Sequence, residues 1–233
     1  MLNLFDILGP VMVGPSSSHT AGAVRIGLMA RSLLGEPPVE AAIHLHGSFA
    51  ETGSGHGTDR ALVAGLLGMQ PDDLRIPGAA QEAEKAGLSV TIDTVNLREA
   101  HPNTAILEVR GASGRTLELQ AASLGGGRIM VNKLDGIEVS FSGAFNTLVV
   151  RSRDVNGVVS GVTSILYQLG VNVANMSVCR PMRGADMLMV IEVDEHIKPS
   201  QVAFLNELPN IISVTYYDKE EEDDGTGFDE GDL

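Results

Sequence analysis

The sequence predicts an α+β protein built from two successive sheet-bearing units, and three observations carry that prediction. Apolar residues recur at helical spacing over 21–34 and 157–169. Between residues 88 and 141, five short β-prone stretches follow one another, a run of strands that gives a mainly antiparallel sheet. From Thr147 a more regular cycle begins, strand-helix-strand-strand-helix-strand, the split ferredoxin-like order.

Residues 21–34 read as a helix because Val24, Leu28 and Leu34 fall near one stripe, widened by Ile26, Met29, Ala30 and Leu33. Gly35, Pro37 and Pro38 stop it. A strand is expected at about 39–46. Residues 47–57 hold so much Gly, Ser and Thr that no regular element is expected there, while Thr58 is expected to cap a helix over 59–67. A weaker helical stretch, 78–86, stops at Gly87. Strands are expected at 88–95, 104–110, 115–121, 128–132 and 137–141. Asp135-Gly136 signals a hairpin between the last two, with a loop length that Lys133 and Leu134 leave open. In the second cycle the strands fall at 148–151, 171–179, 185–193 and 211–216, and the helices at 157–169 and 200–208. The expected division is a first domain over 1–146, a second over 147–217 and an acidic tail over 218–233.

Charge narrows the partners. The chain carries a formal net charge of -14; nine acidic residues and one Lys from Asp218 to Leu233 give -8 of it, leaving -6 for residues 1–217. An acidic balance disfavours nucleic acid, whose binding rests on basic surfaces. The tail is expected to be a solvated, disordered extension. Cys179 is the single cysteine, which excludes an intrachain disulfide and a cysteine cluster and suits a reducing compartment. Residues 1–12 show no basic leader, and no apolar run approaches the roughly 20 residues needed to cross a bilayer, so the expectation is a cytoplasmic protein without a membrane partner.

The densest polar segment is Gly14-Pro15-Ser16-Ser17-Ser18-His19-Thr20, directly before the first helix. One serine suffices to cap that helix. The remaining hydroxyls and uncapped N–H groups, beside the positive helix end, can hold a carboxylate or phosphate, and His19 adds a group that exchanges a proton near neutral pH. Ordinary capping with a surface histidine competes with that reading. A second segment, Gly47 to Asp59, carries Gly55, His56, Gly57 and Thr58; its close glycines permit a backbone path that side chains would obstruct. His56, like His19, precedes a helix start, and the two form a proton-transfer pair if the fold brings them together. His44 and His46 share one strand face but lack a third metal ligand at a convincing spacing. Gly125-Gly126-Gly127, after Ala122-Ser123-Leu124, is either a bend or a set of backbone donors lining a cleft.

The combination of Gly14-Pro15-Ser16-Ser17-Ser18-His19-Thr20-Ala21-Gly22, Thr52-Gly53-Ser54-Gly55-His56-Gly57-Thr58-Asp59 and Ser123-Leu124-Gly125-Gly126-Gly127 resembles the beta part of the iron-sulfur-dependent bacterial L-serine dehydratases. The first unit is also similar to the allosteric-substrate-binding domain of some phosphoglycerate dehydrogenases. The second unit resembles an ACT domain, with Asp154-Val155-Asn156-Gly157-Val158 where that family puts its ligand-binding loop. The resemblance implies deamination of L-serine to pyruvate and ammonia at a [4Fe-4S] cluster. One cysteine cannot ligate such a cluster, so the resemblance further implies an alpha subunit that holds it, no metal ligands in this chain, and no activity of the chain alone. Carried over residue by residue, His56 is the first choice and His19 the second for proton transfer. Ser16, Ser17, Ser18, Thr20, Gly55, Gly57 and Thr58 line the substrate site, and Asn156, Gly157 and Val158 form a regulatory-ligand site. A homodimer through either domain is a further expectation. The alternative is a regulatory or sensing subunit that binds a small amino or hydroxy acid and has no catalytic residues of its own.

Overall fold

The computed structural model describes residues 12–13 and 16–219, except for the side chains of residues 52 and 54–56. The tail beyond Lys219 and the Gly14-Pro15 pair lie outside the described residues. The chain opens with a π-helical turn, Ser17–Gly22, that runs without a break into α1, Ala23–Leu34. Then come β1 (Pro38–Leu45), α2 (Ser48–His56), α3 (Thr58–Leu66), a short 3-10 turn (Ile76–Gly78) and α4 (Ala79–Ala86). Strands β2 (Ser89–Thr94), β3 (Thr104–Gly111), β4 (Thr116–Gly125), β5 (Arg128–Leu134) and β6 (Ile137–Phe141) complete the first unit. The second contains β7 (Asn146–Arg153), α5 (Val158–Gln168), β8 (Val173–Cys179), β9 (Asp186–Val193), α6 (Pro199–Asn206) and β10 (Ile211–Tyr217).

The first sheet has the order β2-β1-β3-β4-β5-β6. Only β1 and β2 pair in parallel; the other pairs are antiparallel. Asp135 and Gly136, both at positive φ, form a two-residue turn that places Leu134 opposite Ile137, which fixes the loop length the sequence leaves open. Helix α1 lies on β3 and β4, and α3 lies along α1. Ile26, Met29, Leu62, Leu66, Leu107 and Leu119 are fully buried between these layers. The two helices meet backbone to backbone at Gly27 and Gly65. A Cβ on Gly65 would stand 2.1 Å from the Val24 carbonyl oxygen, and one on Gly27 2.3 Å from that of Leu62.

The second sheet has the order β10-β7-β9-β8, antiparallel throughout, as the ferredoxin-like arrangement requires. Leu148, Val150, Met189 and Ile191 face α5 and α6, whereas their strand neighbours Val149, Leu188 and Val190 join the core of the first unit, with Tyr217. This second burial explains why β9 is apolar on both faces rather than alternating. A cavity of about 120 Å³ remains at the junction, lined by Leu33, Leu34, Arg115, Asp135, Arg151 and Thr215 among others. Arg151 pairs with Asp135 across it.

Two local expectations differ from the structure. Residues 47–57 do not stay irregular: 48–56 form α2, because Phe49, fully buried, anchors the first turn and Glu51 N–H bonds the Gly47 carbonyl. Glycine lowers helix propensity by about 1 kcal/mol per residue, a penalty that this burial offsets. Thr58 does not cap α3; it is the first helical residue, Gly57 holds the cap position at φ 74°, and the Thr58 hydroxyl is buried with no partner among the described residues.

Candidate active site

The polar turn is built on a seat of hydroxyls. Ser16 adopts an extended backbone and caps the π-turn, its Oγ accepting from His19 N–H at 3.2 Å. The same Oγ lies 3.2 Å from His19 Nδ1. Ser17 Oγ accepts from the Gly126 N–H at 3.3 Å, and the Ser18 carbonyl accepts from Ser123 Oγ at 2.9 Å. Two of the three serine hydroxyls therefore hold the turn, and the Ser18 hydroxyl makes no hydrogen bond to another described residue. Thr20 is buried, 3% exposed, and its N–H bonds the Ser16 carbonyl. Its side chain supports the turn from inside rather than lining a surface.

His19 is fixed on three sides. Nε2 lies 3.3 Å from Ser48 Oγ on the first turn of α2, and the ring meets Phe49 edge-on with centroids 5.4 Å apart. The π-turn touches α2, α3, β4 and β5, so the polar segments at 16–20, 47–59 and 122–127 converge in one region. His56 is the last residue of α2, and its side chain lies outside the described residues, as does that of Thr52. Gly55 falls within α2, and Gly57 ends it in the left-handed region with open space around it.

The glycine triplet is not a bend after a strand ending at 121. Strand β4 runs on to Gly125 because Ala122 and Ser123 are buried and pair with Met130 and Ile129 of β5. Gly126 and Gly127 then turn the hairpin, and Arg25 Nη1 donates to the Gly127 carbonyl at 3.0 Å, tying the hairpin to α1. Beside it a cleft of about 400 Å³ is lined by Arg25, Arg128, Met130, Gly143, Tyr217 and Lys219, among others.

The spacing gives no sign of Ser48 or Ser123 as site residues; each sits inside a segment read for its glycines, and only the packing of α2 and the extension of β4 bring their hydroxyls to the turn. Removing the Ser123 hydroxyl takes this donor from the partly buried Ser18 carbonyl, which costs about 1–3 kcal/mol. Ser123→Ala is accordingly expected to lower thermal stability by that amount; an unchanged denaturation curve would contradict the placement.

The other candidates lie apart. His44 Nδ1 lies 2.5 Å from Asp93 and its Nε2 3.4 Å from Glu108, while His46 Nδ1 accepts from the Leu97 N–H, so the two histidines do not converge. Among the described residues no group of three or more His, Cys, Asp or Glu is placed to hold a metal. In the second unit, Gly157 starts α5 at φ 90° and Asn156 is exposed, but the Val158 side chain is buried. The corner is braced by Asp154, whose carboxylate accepts from Gly184 N–H and Arg180 Nη1. These bonds, that from Gly184 first, hold the Asp154 pKa below the ordinary carboxylate value.

Residues 2–98 match the family model described as serine dehydratase beta chain, and residues 146–203 match the ACT domain. The chain is 45% identical over 213 residues to a protein of Bacillus subtilis (strain 168) named "Probable L-serine dehydratase, beta chain", covering 91% of this chain and 96% of that one. It is 36% identical over 197 residues to the "L-serine dehydratase, beta chain" of Peptoniphilus asaccharolyticus, covering 84% and 89%. A D-3-phosphoglycerate dehydrogenase of Bacillus subtilis (strain 168) is 26% identical over 198 residues, which span 84% of this chain but 37% of the dehydrogenase. The match to two beta chains over nearly their whole length, on a fold that gathers the Ser-His turn, α2 and the glycine hairpin, means that the chain belongs to the L-serine dehydratase beta-chain family.

Proposed function

We propose that this chain is the beta subunit of a two-chain L-serine dehydratase, a lyase that converts L-serine to pyruvate and ammonia in complex with an alpha subunit. The observation that carries this reading is the 45% identity across 96% of a chain named as a beta subunit. The hydroxyl-lined turn at the start of α1 supports it. Its open face suits a carboxylate, since the first N–H groups of a helix have no intrahelical acceptor and the dipole favours an anion there.

In this reading the Ser18 hydroxyl and the N–H groups of Ser17 and Ser18 receive the substrate carboxylate, those of His19 and Thr20 being taken by Ser16. Each charge-assisted hydrogen bond contributes about 1.5–3 kcal/mol. Ser16, Ser17 and Thr20 keep the turn in shape, Gly55 and Gly57 form the facing wall, and Thr58, buried at the start of α3, supports that wall from behind rather than lining it. His56 is the first candidate to move the substrate proton and His19 the second.

A [4Fe-4S] cluster needs several thiolates, and this sequence offers Cys179 alone, on β8 and packed against the first core. The residues of this chain do not fit the cluster, and the alpha subunit is its proposed holder. The proposed domain bounds are 1–146, 147–217 and the acidic segment 218–233, with Asn156, Gly157 and Val158 as a regulatory-ligand corner and a homodimer through either domain. No described helix is long and apolar enough to cross a membrane. The proposed location is cytoplasmic.

The likeness to a dehydrogenase over both units favours a second reading, a sensing subunit for a small amino or hydroxy acid. Co-expression with a cysteine-bearing alpha chain under anaerobic conditions separates the two. The first reading expects a stable complex that releases pyruvate from serine; tight amino-acid binding without association favours the second.

A further inference from the structure

We infer that Ser48 is a positioning residue for His19, and that its hydroxyl lets the ring take up and give back a proton without leaving its seat. This rests on the proposed reading of His19 as a proton-handling residue, although the contact itself does not.

The corner that carries Ser48 is specified by the chain on both sides. Gly47 has φ 56° and ψ -125°, and a Cβ there would stand 2.6 Å from the Pro102 carbonyl oxygen. Only glycine makes that turn without moving the 102 region. Phe49, buried completely, then locks the next residue, its N–H reaching the His46 carbonyl at 3.2 Å. Ser48, between a forced turn and a buried anchor, has little freedom, and its Oγ is left 3.3 Å from His19 Nε2.

The choice of hydroxyl has a chemical consequence. Ser16 Oγ already accepts from the His19 backbone N–H, so its own proton is available to donate to Nδ1, and the neutral ring then donates Nε2–H to Ser48 Oγ. When the ring is protonated both nitrogens donate, and both hydroxyls accept by rotating their protons away. The same heavy-atom geometry thus serves both charge states. A carboxylate at either place accepts only, and favours the cation over the neutral ring. A neutral hydroxyl adds no such bias of its own, which suits a group that has to change protonation in each cycle.

Position 48 tests this with three substitutions in the reconstituted alpha-beta complex. Ser48→Ala removes the contact. Ser48→Asp keeps an acceptor and suits the first turn of a helix, yet its charge holds the ring in the protonated form. Ser48→Thr keeps the hydroxyl. Misplacing a reacting group by about 1 Å can cost ~10²-fold, so Ser48→Ala and Ser48→Asp are expected to lower kcat by about 10- to 100-fold. The KM for serine is expected to stay within about twofold, because uniform binding is untouched, and Ser48→Thr to stay within roughly threefold of the parent kcat. A role limited to starting α2 predicts that Asp is tolerated as well as Thr. Wild-type kcat in Ser48→Asp or Ser48→Ala would overturn the inference, as would full turnover in His19→Ala, which leaves Ser48 nothing to position.

Nitrogen NMR of the imidazoles in the isolated full-length chain reads the contact without turnover. With the His19 signals assigned from a His19→Gln spectrum, Ser48→Ala is expected to move Nε2 and Ser16→Ala to move Nδ1. An unmoved Nε2 in Ser48→Ala overturns the inference whatever the complex does. A moved Nε2 beside a wild-type complex that makes no pyruvate keeps the contact and sinks the dehydratase reading instead.

Discussion

Replacing His19 by alanine in the complete alpha-beta enzyme is expected to lower serine turnover by about 10²–10⁴-fold, the usual contribution of a positioned acid or base. The ring is held by Ser16 on one nitrogen and Ser48 on the other and braced by Phe49. Such restraint is costly in side-chain entropy and suits a group whose orientation matters. The main support of the turn does not depend on the ring, since Ser16 caps the His19 backbone N–H and Ser17 and Ser18 are tied to 123–126. His19→Ala should therefore assemble with the alpha chain and melt near the parent, with the loss confined to kcat. His56→Gln is expected to show a loss in the same range by the same assay. Retained turnover in both variants, with full assembly, would leave this chain as a structural subunit.

The second large effect concerns the scaffold. Gly65→Ala drives a methyl to within 2.1 Å of the Val24 carbonyl oxygen and 2.8 Å of the Leu28 nitrogen. Both atoms belong to backbone, so no rotamer change relieves the clash, and α1 and α3 have to separate. Overpacking of this kind costs about 1–3 kcal/mol or more. At the upper end that lowers the melting temperature by roughly 6–12 °C for a chain of about 150–250 residues. Turnover is expected to fall as well, because the Ser-His turn is continuous with the amino end of α1. Gly161→Ala is the matched control: it lies within α5 with open space around its Cβ position, and helix propensity favours alanine by about 1 kcal/mol. Calorimetry of the two variants checks the contrast, and equal melting temperatures would contradict the backbone contact between α1 and α3.

Much of this architecture is legible in the sequence where one periodic face meets one core. The stripe through Val24, Leu28 and Leu34 and the alternation in the antiparallel strands mark their elements, and the second cycle follows from its turns at Asn156-Gly157 and Gly170. The polar turn is legible too, because three serines and a histidine at a helix start exceed what a cap needs. Helix α2 is not, since Gly53, Gly55 and Ser54 lower its propensity and its stabilising contact, buried Phe49, is tertiary. For the same reason the sequence points to Thr58 as a cap when Gly57 holds that position. The reach of β4 through Ser123 depends on pairing with Ile129 and Met130, long-range contacts that no local pattern encodes. Ser48 and Ser123 are hidden with those elements. The reaction itself was never in the local chemistry of residues 14–20, which offered an anion seat and a proton carrier; the family supplied serine, and the single cysteine supplied the need for a partner.

The most direct measurement of the central claim is a titration. A cysteine-rich alpha chain, loaded anaerobically with its cluster, is mixed with increasing amounts of this full-length chain, and pyruvate release from L-serine is followed. The expected result is negligible pyruvate from either chain alone and a rise that saturates at a fixed ratio of the two. Full activity of the alpha chain alone, or none at any ratio despite a stable complex and an intact cluster, would contradict it.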